Sequence, residues 1–157
     1  MKIVLDTNCL VNVIMPGSFN NMVWQAFREN KFVLCVSNEI LFEYHEILSK
    51  RYNHLIANTI LKELIETPNL ERVYPTFRFN LITSDPDDNK FVDCAIIAGA
   101  TYIVSNDRHF LELDNYGFPK VAVRTLSEFH GIVNNLWYIE YCGFPEKLND
   151  NLIILKL

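Results

Sequence analysis

The sequence begins MKIVLDTNCLV (residues 1–11), in which a short aliphatic run ends at Asp6. Such a run is typical of a buried strand, so residues 2–6 are interpreted as the first strand of the fold. An acid at the end of a buried strand has two interpretations. It is either an Asx-turn residue, whose side chain bonds nearby amides, or the first member of a site. The rest of the chain decides between them.

Strand-like and helix-like segments alternate along the remaining sequence. Strands are predicted at residues 32–37, 102–105 and 120–125 with a less regular extended stretch near 72–74, and helices at 20–30, 38–51, 53–66, from Pro86 with Asp85 as its cap, and at 107–113. Apolar strands separated by helices indicate a parallel sheet covered on both faces, so the fold class is α/β. In such sheets ligands bind beyond the carboxyl ends of the strands, where Asp6 and Asp107 lie.

The bulk composition restricts the class of protein. The chain has 157 residues, half of them hydrophobic, which predicts one compact domain. No apolar run approaches the roughly 18 residues of a membrane span, so we expect a soluble, cytoplasmic protein with no membrane contact. The net charge of −5 argues against a protein that coats duplex nucleic acid. It leaves open an enzyme that holds nucleic acid through metal ions and a local basic rim.

The four cysteines favour buried free thiols over disulfides. They are Cys9, Cys35, Cys94 and Cys142. They form no CxxC pair, they have no histidine at zinc-finger spacing, and three of them lie in apolar segments.

The helix at 38–51 carries three glutamates, and helical geometry separates them. At about 100° per residue, its apolar arc comprises Ile40, Leu41, Tyr44, Ile47 and Leu48. Glu43 lies at the edge of this arc, whereas Glu39 and Glu46 point toward the opposite side. Phe42 is left on the outer face. Glu43 is therefore the glutamate predicted to face a crevice.

The helix that begins at Pro86 also directs one acid inward. Asp88 shares a face with Phe91, Val92 and Ala95, at the spacing i, i+3, i+4, i+7. By the same geometry Asp87 and Asp93 lie well off that face. An inward carboxylate is costly without a cation or several donors, and no lysine or arginine occupies an obvious pairing position on this face.

Each acid has a structural interpretation when it is taken singly. Asp88 could complement the helix dipole, Asp107 could cap the short helix, and Asp6 could form an Asx-turn. As a set, the four acids are best explained by a shared cation. Oxygen ligands suit Mg or Mn, and two such ions about 4 Å apart can promote hydrolysis of a phosphodiester. The sequence contains no P-loop, GxGxxG stretch or Ser/His/Asp order that would favour other chemistry.

Four segments, in their order and spacing, resemble the PIN-domain family and within it the single-domain bacterial and archaeal toxin components of toxin–antitoxin systems. They are VLDTNCLV, SNEILFEYHEILSKR, DPDDNKFVDCAIIAGATYIVSNDRHFLEL and VRTLSEF. The resemblance covers residues 1–129 and implies a PIN-like three-layer α/β/α sandwich with a central, mainly parallel sheet. Residues 130–157 are predicted to be a C-terminal extension. Its aromatic cluster and apolar end LIILKL should pack on the domain or a dimer partner.

The resemblance also implies roles for individual residues. Asp6, Glu43, Asp88 and Asp107 match the four family acids and would be both metal ligands and catalytic residues. Thr7, Asn8 and Ser105 match positions that support the acids, whereas Asn106 replaces a commonly small residue. Arg108 and His109 lie beside the fourth acid and could contact RNA phosphate, although an ordinary surface or packing role is the simpler interpretation of His109. Phe110 is expected in the core.

The function that the resemblance implies is a Mg- or Mn-dependent ribonuclease, the toxin of a toxin–antitoxin pair. An antitoxin partner and a homodimer are expected with it. The main alternative is a non-catalytic PIN-like module that binds RNA or protein, against which the retention of all four acids argues. A phosphatase with Asp6 as nucleophile would need a second acid where Asn8 stands. A structure-specific DNA nuclease also stays open, although the chain lacks insertions long enough for an arch or clamp.

Overall fold

A computed structural model of the protein describes the backbone of residues 1–142 and the side chains as far as Tyr138. Within this part of the chain, five strands form one sheet in which every neighbouring pair is parallel. The strands are β1 (Lys2–Leu5), β2 (Val33–Val36), β3 (Leu70–Arg72), β4 (Tyr102–Val104) and β5 (Ala122–Arg124). The expectation of an α/β fold with a parallel sheet is confirmed.

The strand order β3-β2-β1-β4-β5 places β1 in the centre. Ile3 of β1 pairs with Leu34 on one side and with Tyr102 on the other. The chain leaves β1 toward β2 and later returns to the opposite side as β4, so the carboxyl end of β1 is the switch point of the sheet. Open α/β sheets bind ligands at this point.

Six α-helices flank the sheet in the described residues. They are α1 (Thr7–Val13), α2 (Asn21–Arg28), α3 (Asn38–Arg51), α4 (His54–Glu66), α5 (Asn89–Ala98) and α6 (Leu126–Cys142), with 3-10 turns at Pro86–Asp88 and Arg108–Asn115. Helix α5 packs on the three central strands, and α2 packs on α6. None of the described helices combines the length and apolar character that crossing a membrane requires.

The structure differs from the sequence expectations at two helices and two turns. Helix α1 begins directly after Asp6, and α6 follows β5, although neither helix is predicted by periodicity. The segment from Pro86 opens with a 3-10 turn before α5 starts at Asn89, and the predicted short helix at 107–113 is a 3-10 helix over Arg108–Asn115.

The hydrophobic core lies on both sides of β1. Ile3, Val4, Tyr44 and Phe110 are buried in it, as are the free thiols of Cys9, Cys35 and Cys94. Helix α6 contributes Phe129 and Val133 to the same core, and Trp137 packs against it. Most of the tail for which packing is predicted, including Tyr141, Phe144 and LIILKL, lies outside the described side chains.

Candidate active site

Asp6 ends the central strand and caps the first helix. Its backbone N–H donates to the carbonyl of Val104 at 3.0 Å, which extends the pairing of β1 with β4. Its side chain accepts from the backbone N–H of Asn8 at 3.4 Å and from the hydroxyl of Ser105 at 2.9 Å. The residue is only 6% exposed. Asp6 is therefore a turn residue and also a buried carboxylate at the switch point.

Burial makes the charge of Asp6 unfavourable. Loss of solvent is the largest cause that raises the pKa of Asp6 above its ordinary value. The hydrogen bonds from Ser105 and Asn8 oppose this shift, and the nearby charges of Glu43 and Asp107 add to it. A carboxylate with these neighbours would be stabilised as an anion by a bound cation.

Ser105 connects the first acid with the fourth. Its hydroxyl donates to Asp6 Oδ2 and accepts from the backbone N–H of Asp107 at 3.0 Å. Asp107 itself accepts from the backbone N–H of His109 at 3.0 Å and so caps the 3-10 helix. Asn106, the departure from the family pattern, accepts from the backbone N–H of Leu126 at 3.0 Å. The loop after β4 is thus held to β1 on one side and to α6 on the other.

Asp88 lies across from this loop, beside His109. The ring nitrogen Nδ1 of His109 lies 3.2 Å from Asp88 Oδ2, 3.3 Å from Asp107 Oδ1 and 3.7 Å from Asp85 Oδ2. One ligand atom each from Asp85, Asp88 and His109 lie within 4.8 Å of one another. An imidazole among three carboxylates joins the turn before α5 to the loop after β4.

The titration of Asp88 and His109 reflects this crowding. Burial is the main cause that raises the pKa of Asp88 to about 6, and the charges of Asp85, Asp107 and Asp6 raise it further against the His109 hydrogen bond. Partial burial lowers the pKa of His109, but the hydrogen bond to Asp88 and the surrounding carboxylates outweigh it and raise the pKa overall.

Glu43 reaches the site from α3. The neighbouring Tyr44 is fully buried, and its hydroxyl donates to the carbonyl of Leu5, which fixes α3 against the end of β1. Glu43 contributes to the electrostatic environment of Asp6, but it also lies 2.6 Å from the ammonium of Lys90. Lys90 pairs with Asp87 as well. Lys90 therefore joins α5 to α3 through its ion pairs with Glu43 and Asp87, whereas the partner of Asp88 is His109.

Asp93 of α5 is buried, which corrects the prediction that it lies off the buried face of this helix. Its side chain is 0% exposed, and it accepts from the backbone N–H of Phe79 at 3.0 Å and from Arg78 at 3.3 Å. The segment before the 3-10 turn covers this second face of α5, and Asn89 ties the same segment down by bonding both polar backbone groups of Ile82. A contact with a distant loop leaves no trace in the periodicity of α5.

The described structure brings together most of the residues that the sequence singles out. Ser105 links Asp6 with Asp107, His109 links Asp107 with Asp88, and Glu43 approaches Asp6 from α3. Thr7 is buried, whereas Asn8 and Arg108 are exposed. Sequence reasoning assigns Asp85 only a capping role and favours an ordinary role for His109. The signal for Asp85 is its position three residues before Asp88, which a single turn brings to the same side.

The donor set is suited to a hard divalent cation. Asp85, Asp88 and His109 each offer one ligand atom to a single ion, and the charges of Asp6 and Asp107 act on Asp88. Carboxylate oxygens are the ligands that Mg and Mn take in proteins. A single cation at this place would relieve the mutual repulsion of the acids.

Comparisons with known proteins identify the family and a similar fold. The family model described as PIN domain matches residues 2–109, a range that includes all four acids. The crystal structure of VapBC2 from Rickettsia felis, bound to a DNA fragment from their promoter, contains a similar fold, with a TM-score of 0.56 at 19% identity. The match covers 80% of this chain and 98% of that chain. A comparison with curated proteins gave no match.

Proposed function

Because this chain belongs to the PIN-domain family, we propose that it is a metal-dependent endoribonuclease that hydrolyses phosphodiester bonds of RNA. The observation that carries the proposal is the buried carboxylate of Asp6, held by Ser105 at the switch point and surrounded by other acids. Such a cluster is unfavourable without a cation, and oxygen-bound divalent ions are suited to chemistry on phosphate.

In this proposal Asp6, Glu43, Asp88 and Asp107 would hold Mg or Mn. A bound ion would lower the pKa of a water molecule and stabilise charge on the phosphate. Ser105 would keep Asp6 oriented by its hydrogen bond, and Thr7 and Asn8 would support the turn. Asp85 and His109 would add ligands beside Asp88. An imidazole ligand favours Mn over Mg, because Mg selects oxygen donors more strictly.

We further propose that the protein is the toxin of a toxin–antitoxin pair in the cytoplasm. The solved structure with a similar fold is of the VapBC2 assembly, bound to a DNA fragment from its promoter. That assembly supports a partner protein for the present chain. A homodimer and a C-terminal extension from residue 130 that packs on the domain or the dimer partner belong to the same proposal.

A non-catalytic PIN-like module that binds RNA or protein is the second candidate. The observation that favours it is the ion pair between Glu43 and Lys90, which engages one of the four acids with a protein cation. In such a module the acids would hold the fold together without a metal.

The test is cleavage of labelled single-stranded and hairpin RNAs, and of matching DNAs, with Mn, with Mg and with EDTA. We expect metal-dependent RNA cutting that is abolished in Asp6→Asn. Glu46→Gln is the matched control, because Glu46 lies on the exposed side of the same helix as Glu43 and pairs only with Lys50 in the described structure. It should cut normally. Absence of cutting in every metal, with no Mn binding by calorimetry, would favour the non-catalytic module.

A further inference from the structure

A groove of about 850 Å³ runs from the fourth acid along the edge strand β5. It starts at Ser105 and Asp107, beyond the carboxyl end of β4, and continues past Arg124 to Lys120 and Tyr116. Because β5 pairs only with β4 in the described sheet, its outer edge is free to form one wall. We propose that this groove binds an unpaired RNA strand next to the phosphate that is cut. This inference rests on the proposed function.

The charge of the groove lining supports a polyanionic ligand. Arg108, Lys120 and Arg124 line it, and within the described residues none of the three forms an ion pair. Six other cations of the described structure are paired with acids: Lys2, Arg28, Lys50, Lys62, Arg78 and Lys90. Arg51 and Arg72, which have no ion pair among the described residues, do not line this groove. The protein as a whole has a net charge of −5, so three cations without an acid partner among the described residues make this groove a local basic rim.

Arg124 is held in a defined direction rather than left to move in solvent. Its Nη1 donates to the carbonyl of Val123 at 2.9 Å, and its guanidinium carbon lies 5.1 Å from the centre of the Tyr102 ring. A guanidinium fixed in this way loses little entropy when it binds phosphate. The position lies on the strand that neighbours β4, whose carboxyl end carries the acids.

Three acids line the same groove, Asp107, Asp114 and Glu128, and two of them are engaged by groups other than the cations of the rim. Glu128 accepts from the backbone N–H of Thr125 at 2.7 Å and from its hydroxyl at 2.8 Å, so it caps α6. These hydrogen bonds are the main causes that lower the pKa of Glu128, with the charge of Arg124 as a smaller one. Asp107 is one of the proposed metal ligands, so a bound cation would offset its charge during cutting, whereas in EDTA its charge is present equally in the wild type and in the groove variant. Asp114 is the remaining acid of the lining.

Tyr116 favours an unpaired strand over a duplex. It is 36% exposed and lines the groove together with the apolar residues Phe110 and Leu113. An aromatic ring can stack on any base, but only when that base is not already stacked inside a duplex. The groove therefore combines phosphate contacts with a base platform, which is the general pattern of single-strand binding.

The test measures binding of a short, labelled single-stranded RNA to the full-length protein in EDTA, by fluorescence anisotropy over a range of salt concentrations. Lys120→Ala with Arg124→Ala should weaken binding about tenfold. The slope of log K against log salt should fall by about 1.4, because each phosphate contact on a single strand contributes about 0.7. Tyr116→Ala should weaken binding without changing that slope, since stacking releases no counterions.

The control is the double variant Arg51→Ala with Lys62→Ala, which removes the same charge from α3 and α4 and should bind as the wild type does. Unchanged affinity and slope in the groove variant would overturn the proposal, and so would equally tight binding of duplex RNA. Groove-dependent binding by a protein that cuts no RNA would support the groove while the nuclease proposal fails. RNA cutting with an unaltered KM in the groove variant would overturn the groove alone.

Discussion

A single hydroxyl and a single imidazole account for much of the site at the level of residues. Ser105 joins Asp6 to the backbone of Asp107, and His109 lies within 4 Å of three carboxylates. The contacts of Ser105 with Asp6 and of His109 with Asp85 and Asp88 connect segments that are far apart in sequence. The acids are therefore positioned by polar neighbours as well as by the strands that carry them.

Asp88 predicts how the stability of the metal-free protein depends on pH. Its pKa of about 6 in the folded state exceeds the ordinary value of 3.8, so the folded protein binds more protons than the unfolded chain between these values. The stability that Asp88 contributes is thus present at low pH and is lost as the pH rises from about 4 to 6. Asp88→Asn removes this loss.

Urea unfolding in EDTA at pH 4 and at pH 7 tests this expectation. The stability of Asp88→Asn relative to wild type should increase between the two pH values. Asp114→Asn, which neutralises an exposed acid, serves as the control and should show a smaller change. An equal difference at both pH values for Asp88→Asn would contradict the raised pKa.

At the level of elements, a partly buried ion pair joins α3 to α5. Lys90 of α5 is 10% exposed at its side chain and contacts Glu43 of α3, whose side chain is 24% exposed. The two helices thereby bring an acid and its counter-ion to the end of β1. A metal bound by Glu43 would have to share that carboxylate with Lys90.

Lys90→Ala should destabilise the metal-free protein, because it leaves Glu43 uncompensated near Asp6. We expect the Tm in EDTA to fall by about 2–4 °C, which corresponds to roughly 1 kcal/mol for a chain of this size. Saturating Mn should reduce the difference in Tm between Lys90→Ala and the wild type, since the bound ion replaces the positive charge that the substitution removes. Lys50→Ala removes an exposed pair with Glu46 and should change the Tm little. If Mn leaves this Tm difference unchanged, Glu43 is not a ligand of the metal.

The sequence predicts the elements that have a strong periodic or apolar pattern and misses those that depend on tertiary contacts. The strands and the helices α3 and α4 agree with their predicted positions within a few residues. Helix α1 is missed because TNCLVNV contains few strong helix formers, and burial of Cys9 and Leu10 against the core overrides that propensity. Gly131 and two asparagines weaken the pattern of α6 in the same way.

The same distinction applies to the candidate site. The positions of Asp6, Glu43 and Asp88 follow from strand ends and helical faces, which are local properties. The contacts of His109 with Asp85 and of Arg78 with Asp93 join segments more than a dozen residues apart. No local pattern encodes them, so the structure is needed to find them.

For the whole molecule, charge is distributed unevenly. The acids converge at the carboxyl ends of the central strands, and Arg108, Lys120 and Arg124, which form no ion pair with the described residues, lie along the neighbouring edge. Phe42, which is 75% exposed as its helical position predicts, shares an apolar surface with Ile65 and also borders Glu43. The protein thus presents a basic groove that starts at the acidic centre and an apolar patch whose Phe42 neighbours Glu43.

Binding of Mn should stabilise the folded molecule as a whole. At a hundred times its Kd, a ligand that binds only the native state contributes about 2.7 kcal/mol. For a chain of this size that raises the Tm by about 5–10 °C. Differential scanning fluorimetry with and without Mn measures the shift, with Asp6→Asn as the variant and Glu46→Gln as the control. A full shift in Asp6→Asn would place the ion elsewhere.

The hydrogen bond between Asn106 and the start of α6 affects where this protein can be divided. The match to the PIN-domain family model ends at residue 109, yet Asn106 inside it accepts a hydrogen bond from Leu126 outside it. The edge strand β5 and the buried Phe129 and Val133 also lie beyond that limit. A protein fragment that keeps only the residues matched by the family model would therefore lack β5 and expose β4 as a new sheet edge. The smallest cloned piece that can fold has to be chosen from the hydrogen bonds and the core.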